Sequence, residues 1–92
     1  MADDTALDEV MRALADPTRR RIFGLLRRRA GLTTGELSSR VPGMTRWGVM
    51  KHLAVLREAG LVQTFPEGRR RRHYVEPAAL AGLRSWLDAN EG

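Results

Sequence analysis

The chain of 92 residues suffices for one domain with a small core, burying roughly 60–65% of the unfolded surface, a size at which pairing with a second copy would add stability. With no cysteine, disulfides, zinc–thiolate sites and thiol catalysis are excluded; with no apolar run near the roughly 18 residues of a membrane span and no signal-peptide pattern, a soluble cytoplasmic protein is expected. The net charge of +5 is unevenly spread: residues 17–75 hold fourteen Arg or Lys against three acids, a net of +11, while residues 1–16 sum to −4 and residues 76–92 to −2, a pattern that points to a polyanion footprint on one part of the fold.

Leu7, Val10, Met11 and Leu14 fall at i, i+3, i+4 and i+7 and predict an amphipathic first helix within residues 5–15. Asp16-Pro17 restarts the chain as a cap followed by the residue favoured at the first helical position. Ile22, Leu25 and Leu26 are the buried stripe of the second helix. Arg19, Arg20 and Arg21 crowd its first turn, where the helix dipole disfavours cations. That placement implies anionic neighbours: Asp16 plus solvent, the simpler arrangement for at least two of them, or a phosphate. Gly31 ends this helix.

Thr33-Thr34-Gly35-Glu36 reads as a capping box, with Leu32 and Leu37 as its hydrophobic staple. It opens a third helix of about two turns over residues 34–41, closed by Pro42-Gly43. The short turn 42–44 then leads into residues 45–60. Thr45 caps that fourth helix, Gly60 can take the left-handed conformation that ends it, and Met44 with Val49 forms a staple. Val49, Leu53 and Leu56 share one stripe, while Trp47, Lys51 and Glu58 share the opposite face. Two helices joined this tightly have the form of a helix-turn-helix. The second carries its cation and its indole in the first two turns, where a recognition helix meets a DNA groove.

Residues 61–65 are apolar and β-prone, Pro66-Glu67-Gly68 is a turn, and residues 70–75 read as a returning strand. Arg69, Arg70, Arg71 and Arg72 would spread over the tip and both faces of this hairpin, as a wing. Glu76-Pro77 opens a last helix over residues 77–90 with Leu80, Leu83, Trp86 and Leu87 along one side. The predicted order is α-α-α-α-β-β-α, mostly helical with a small β-hairpin, in a single domain spanning residues 1–92.

At this point the chain resembles the ArsR-type winged helix-turn-helix transcriptional repressors over nearly its whole length. The resemblance lies in Ala13-Leu14-Ala15-Asp16-Pro17-Thr18-Arg19, in Gly35-Glu36-Leu37, and above all in Val49-Met50-Lys51-His52-Leu53-Ala54-Val55-Leu56-Arg57-Glu58-Ala59-Gly60-Leu61-Val62, followed by the wing turn Glu67-Gly68-Arg69. It implies a homodimer joined by the first and last helices, bound to an imperfect palindrome upstream of the genes it represses. Many members sense metals through cysteines in the third helix or through His and carboxylates in the last. Here the third helix has no thiol, and the last offers Asp88 and Glu91 without a histidine, so metal sensing of either kind is not expected. No cofactor is expected, and an effector, if there is one, is not identified.

Arg46, Trp47, Gly48 and Lys51 match the family's base- and backbone-contacting positions; with Thr45, His52 and the four wing arginines they make up the expected set facing double-stranded DNA. Arg46 can fork onto a guanine or be a surface arginine at the edge of the wheel. Trp47 meets a thymine methyl or sugar, or lies against its own helix. Gly48 either lets the backbone approach the duplex or is merely tolerated. His52 at the stripe's edge is packed or phosphate-bonded, and His73 is structural. The wing arginines reach phosphates or the minor groove, or form a solvated loop. The rows Leu7, Val10, Met11, Leu14 and Leu80, Leu83, Trp86, Leu87 exceed what the core can cover and predict a two-fold interface, placing two recognition helices about 34 Å apart. Enzyme chemistry lacks parts: there is no nucleophile–histidine–acid spacing, phosphate-cradling glycine loop or evident carboxylate pair. The alternative is a protein-interaction or RNA-binding use of the same winged fold.

Overall fold

Three helix starts carry the side-chain caps expected of them. The structure, a computed structural model, describes residues 5–91. After α1 (Thr5–Leu14), the Asp16 carboxylate accepts from the Arg19 N–H at 2.9 Å and Pro17 stands first in α2 (Pro17–Arg28). Thr33 Oγ1 accepts from the Glu36 N–H at 3.1 Å while the Glu36 carboxylate accepts from the Thr33 N–H at 3.0 Å, a reciprocal box at the head of α3 (Thr34–Arg40). Thr45 Oγ1 accepts from the Gly48 N–H at 3.0 Å at the head of α4 (Arg46–Glu58). Just past α4, Gly60 has φ +76°, a left-handed backbone in which a Cβ is strained.

β2 (Val62–Glu67) and β3 (Arg70–Val75) form the expected hairpin. Its loop is only Gly68-Arg69, with Gly68 at φ +60°, the sign a type II′ turn needs at its first central residue. Pro66 and Glu67, expected in the turn, instead continue the strand. β2 lies at a sheet edge, where proline's missing N–H is tolerated. The expected two strands are in fact three: β1 (Leu32–Thr33) pairs antiparallel with β3, Leu32 opposite His73 and Thr33 opposite Arg72, giving the order β1-β3-β2. Two residues are too few to show any alternation, and the same pair also serves as staple and cap.

α5 (Pro77–Ala89) closes the described chain. Ile22, Leu26, Leu37, Val49, Leu53, Leu56 and Leu61 are each at most 1% exposed and form one cluster with Val10, Ala13, Leu32 and Val62. The inner stripe of α4 is thereby pinned against α2, α3 and the sheet, which leaves its other face outward. Val10, expected on a surface offered to a second copy, is 6% exposed and belongs to this core; its place three residues before Ala13 turns it inward. α5 has no buried residue, although Ala79 and Leu80 rest against the core. Glu76 caps α5 by accepting from the Ala78 N–H, and a hydrogen bond from Gln63 Nε2 to Glu76 Oε2 ties β2 to that cap.

Arg19 and Arg20, two of the three arginines at the start of α2, have partners besides the expected Asp16, whose carboxyl the Arg19 N–H and then the Arg19 guanidinium help to lower. Arg19 Nε donates to the Ala13 carbonyl at 2.6 Å, and Arg20 Nη1 donates to the carbonyls of Leu14 and Ala15 at 2.7 and 3.0 Å. These are the unpaired carbonyls at the end of α1, the negative end of its dipole. Cations poorly placed for one helix are well placed for the one before it.

Candidate nucleic-acid interface

The outward face of α4 carries Trp47, 66% exposed, and Lys51 one turn later. The Lys51 ammonium lies 3.7 Å from the centroid of the Trp47 ring, a cation–π contact. Trp47 thus rests beside Lys51 of its own helix with its outer surface still open. His52 is half-buried on the helix flank, where its charge helps hold the Asp16 carboxyl below the usual range, after the larger effects of the Arg19 N–H and guanidinium.

Arg46 leans back across the helix-turn-helix. A Cβ built on Gly35, in the first turn of α3, would come within 2.7 Å of Arg46 Nη2 and 3.2 Å of Cζ. The missing side chain at residue 35 is the seat of this guanidinium. Gly48 also makes room, for the Met44 thioether, which a methyl group at residue 48 would overlap. Neither sequence reading of Gly48 included that neighbour.

Between α3, α4 and the wing lies an open cleft of about 540 Å³, walled by Thr34, Gly35, Arg46, Met50 and the wing residues Arg69, Arg70 and Arg71. Four arginines from two distant parts of the chain therefore border one cleft, and Arg71 also borders a smaller cavity with Arg57, Thr64 and Pro66. Among the described residues none of the four makes an ion pair. Glu36, the one acid on the wall, is turned to the Thr33 N–H, whose hydrogen bond holds its carboxyl below the usual range. Thr34, Gly35 and Met50 were missing from the expected set; Met50, 48% exposed, lies one turn beyond Arg46 and was the one member that helical spacing could have found.

Arg72 stands apart from its neighbours. Its Nε donates to Glu67 Oε2 and its Nη1 to the Gly31 carbonyl at 2.9 Å. The pairing holds the Glu67 carboxyl below its ordinary range. The wing run is thus three free arginines and one that braces the hairpin against the turn before β1.

Beneath the cleft, His73 is 1% exposed, with Nε2 2.8 Å from Thr34 Oγ1 and Nδ1 2.8 Å from Thr64 Oγ1. Burial, with Arg57 and Arg71 nearby, pushes its pKa down to about 4. It is the structural residue expected. At the opposite end, an apolar groove of about 590 Å³ between α1 and α5 is lined by residues including Leu7, Ala79, Gly82, Leu83 and Trp86. Met11, Trp86 and Leu87 are 38%, 40% and 53% exposed. No helix among the described residues is long and apolar enough to cross a membrane.

A protein family described as a helix-turn-helix domain matches residues 14–64. The HTH-type transcriptional regulator Rv2034 of Mycobacterium tuberculosis is 43% identical over 81 residues, which cover 88% of this chain and 74% of that protein. A crystal structure of an ArsR family transcriptional regulator superposes with a TM-score of 0.86 at 33% identity, covering 99% of this chain and 93% of the other. An ArsR-like transcriptional regulator from Rhodococcus sp. RHA1 superposes with a TM-score of 0.80 at 33% identity, covering 91% and 77%.

Proposed function

Because the chain belongs to the ArsR-type family of winged helix-turn-helix transcriptional regulators, which bind DNA and are not enzymes, we propose that it is a homodimeric repressor that occupies a palindromic operator and blocks polymerase. The observation that carries this reading is that Arg46, Arg69, Arg70 and Arg71 border one cleft, none of them in a direct ion pair among the described residues, beside an outward helix face bearing Lys51 and Trp47. Lys51 and Trp47, with Thr45 and His52 on the same helix, face the major groove, while the wing reaches phosphates or the minor groove.

The dimer is formed by α1 and α5. Leu7, Met11, Leu83, Trp86 and Leu87 supply the apolar surface, and Leu14 and Leu80 back it from the protomer's side. Two-fold symmetry sets the two α4 helices about one duplex turn, roughly 34 Å, apart. Release follows if an effector changes the angle between the halves. A thiol-free α3 and a histidine-free α5 support regulation by something other than a metal, acting in the cytoplasm.

A gel shift on DNA upstream of the protein's own gene, with salt titration and unrelated competitor, tests the reading. Specific retardation with log K falling linearly in log salt is expected. Equal affinity for all duplexes would overturn the operator claim, and stronger binding to single-stranded RNA would favour the other use of the fold.

A further inference from the structure

A chain of hydrogen bonds runs under the cationic cleft. Arg57 Nη1 donates to Thr64 Oγ1 at 3.3 Å, Thr64 Oγ1 lies 2.8 Å from His73 Nδ1, and His73 Nε2 lies 2.8 Å from Thr34 Oγ1. It joins the last turn of α4, both wing strands and the first residue of α3.

Only the Arg57 end of this chain has a direction fixed by chemistry alone. A guanidinium has donors and no acceptor, so the Thr64 oxygen must accept from Arg57. The Thr64 oxygen could accept a second time as well as donate, but His73 Nδ1 is the one acceptor within hydrogen-bond distance of its hydroxyl among the described residues, and placing the proton there satisfies both groups. A neutral imidazole that accepts at Nδ1 carries its proton on Nε2, and that N–H donates to Thr34 Oγ1. The imidazole stays neutral near pH 7, since burial and the two nearby arginines oppose a second proton. The Thr34 hydroxyl proton is therefore left over. Among the described residues Thr34 Oγ1 has no other partner. At the first position of α3 there is also no earlier turn of the same helix whose carbonyl it could use. Thr34 forms part of the cleft wall that carries Arg46 and the three free wing arginines.

We propose that Thr34 is a further DNA-contacting residue, its hydroxyl aimed by His73 to donate to a phosphodiester oxygen seated in the cleft. This rests on the cleft being the DNA interface. The arginines supply charge that acts over distance; Thr34 supplies a neutral donor with a fixed direction, which sets where the phosphate stops. His73 and Thr64 are positioning residues that act through it.

The test has two arms. In the free protein, nitrogen-15 NMR at neutral pH reads the His73 tautomer; the Nε2–H form is expected, and the Nδ1–H form would overturn the proposal. In the second arm a fluorescein-labelled duplex of random sequence is titrated at low salt, because a phosphate contact is independent of sequence. Thr34→Val is expected to weaken binding about tenfold, as loss of one hydrogen bond to an anion does. The slope of log K against log salt should not change, since no charge is lost. Thr34→Ser should restore affinity. Melting curves show that each variant is folded, and because Thr34→Val also strands the His73 N–H, Thr34→Ser is the deciding variant if it alone folds: serine binding like wild type supports the role, and serine losing about tenfold overturns it. Valine binding as wild type does likewise overturns the role of Thr34 and leaves the DNA reading standing. Wild-type protein that binds no duplex overturns both.

Discussion

Lys51 and Trp47 are paired on the outer face of α4, the ammonium 3.7 Å from the ring centroid. An exposed cation–π contact is worth about 0.5–1 kcal/mol, less than the roughly 1.5–3 kcal/mol of a hydrogen bond to a charged group. The ring can thus hold the charge in the free protein and yield it to a phosphate. Lys51→Met is expected to weaken duplex binding and to lower the salt slope by about 0.9. An unchanged slope, measured by anisotropy over a salt series, would show that Lys51 meets no phosphate.

Gly35 separates stability from binding. Alanine is favoured over glycine in a helix by up to about 1 kcal/mol, so Gly35→Ala should melt at or above the wild-type temperature. The new methyl group takes the seat of the Arg46 guanidinium, and affinity for DNA should fall about threefold to tenfold. Because both changes act through one side chain, Gly35→Ala should add little to Arg46→Ala in a double-mutant cycle. Additive losses would mean that Arg46 works from some other position.

The local parts of this fold were legible in the sequence, and the non-local parts were not. The Asp16, Thr33 and Thr45 caps, the Gly60 stop and the Val49, Leu53, Leu56 stripe each depend on residues within a turn or two of one another. The missed features have distant partners: Arg72 bonds Gly31 across 41 residues, and Thr34 bonds His73 across 39. β1 exists only because β3 offers it an edge, and the seat of Arg46 on Gly35 appears only once α3 and α4 are packed. The site was visible as a list of cations; which of them are free to act was decided by tertiary pairing, as the contrast between Arg71 and Arg72 illustrates.

His73 makes the fold acid-sensitive in a defined window. The unfolded imidazole takes a proton below about pH 6.5, whereas the folded one resists it down to about 4. The unfolded state therefore binds more protons between these values, and stability falls as pH drops through them. The full loss is on the order of 3 kcal/mol. The lowered carboxyls of Asp16, Glu36 and Glu67 add their own losses as pH approaches and passes their ordinary values, 3.8 for Asp and 4.5 for Glu, so the interval from about 6.5 to about 5.5 belongs to His73. Urea unfolding across that interval should show the decline in wild type and a flatter line in His73→Gln. Parallel lines would place the acid sensitivity elsewhere.

The α1–α5 face tests the assembly without touching the core. Trp86 is 40% exposed in the protomer and borders the apolar groove, so Trp86→Glu leaves the buried cluster intact while putting a charge into the proposed two-fold interface. Sedimentation is expected to show a dimer for wild type and a monomer for the variant, with helical circular dichroism retained. Operator affinity should collapse with the dimer, because each half-site alone carries half of the contacts. A wild-type protein that sediments as a monomer at micromolar concentration would remove the two-fold arrangement altogether.

Arg70 and Arg72 are two residues apart on β3 and should answer differently to the same substitution. Arg70 lies on the cleft, exposed and without an ion pair; Arg72 is held by Glu67 and the Gly31 carbonyl. Arg70→Met removes a cation that is free to neutralise phosphate, so the salt slope should drop by about 0.9 with the melting temperature unchanged. Arg72→Met strands the Glu67 carboxylate on the hairpin and frees the turn before β1, so melting temperature should fall. Glu67 then contributes an unpaired negative charge beside the cleft, which weakens binding through repulsion. Glu67→Gln in the Arg72→Met background removes that charge and should recover affinity without restoring stability. If Arg72→Met instead reproduced Arg70→Met, with the lower slope and the wild-type melting point, Arg72 would have to leave Glu67 on binding, and all four wing arginines would count as DNA contacts.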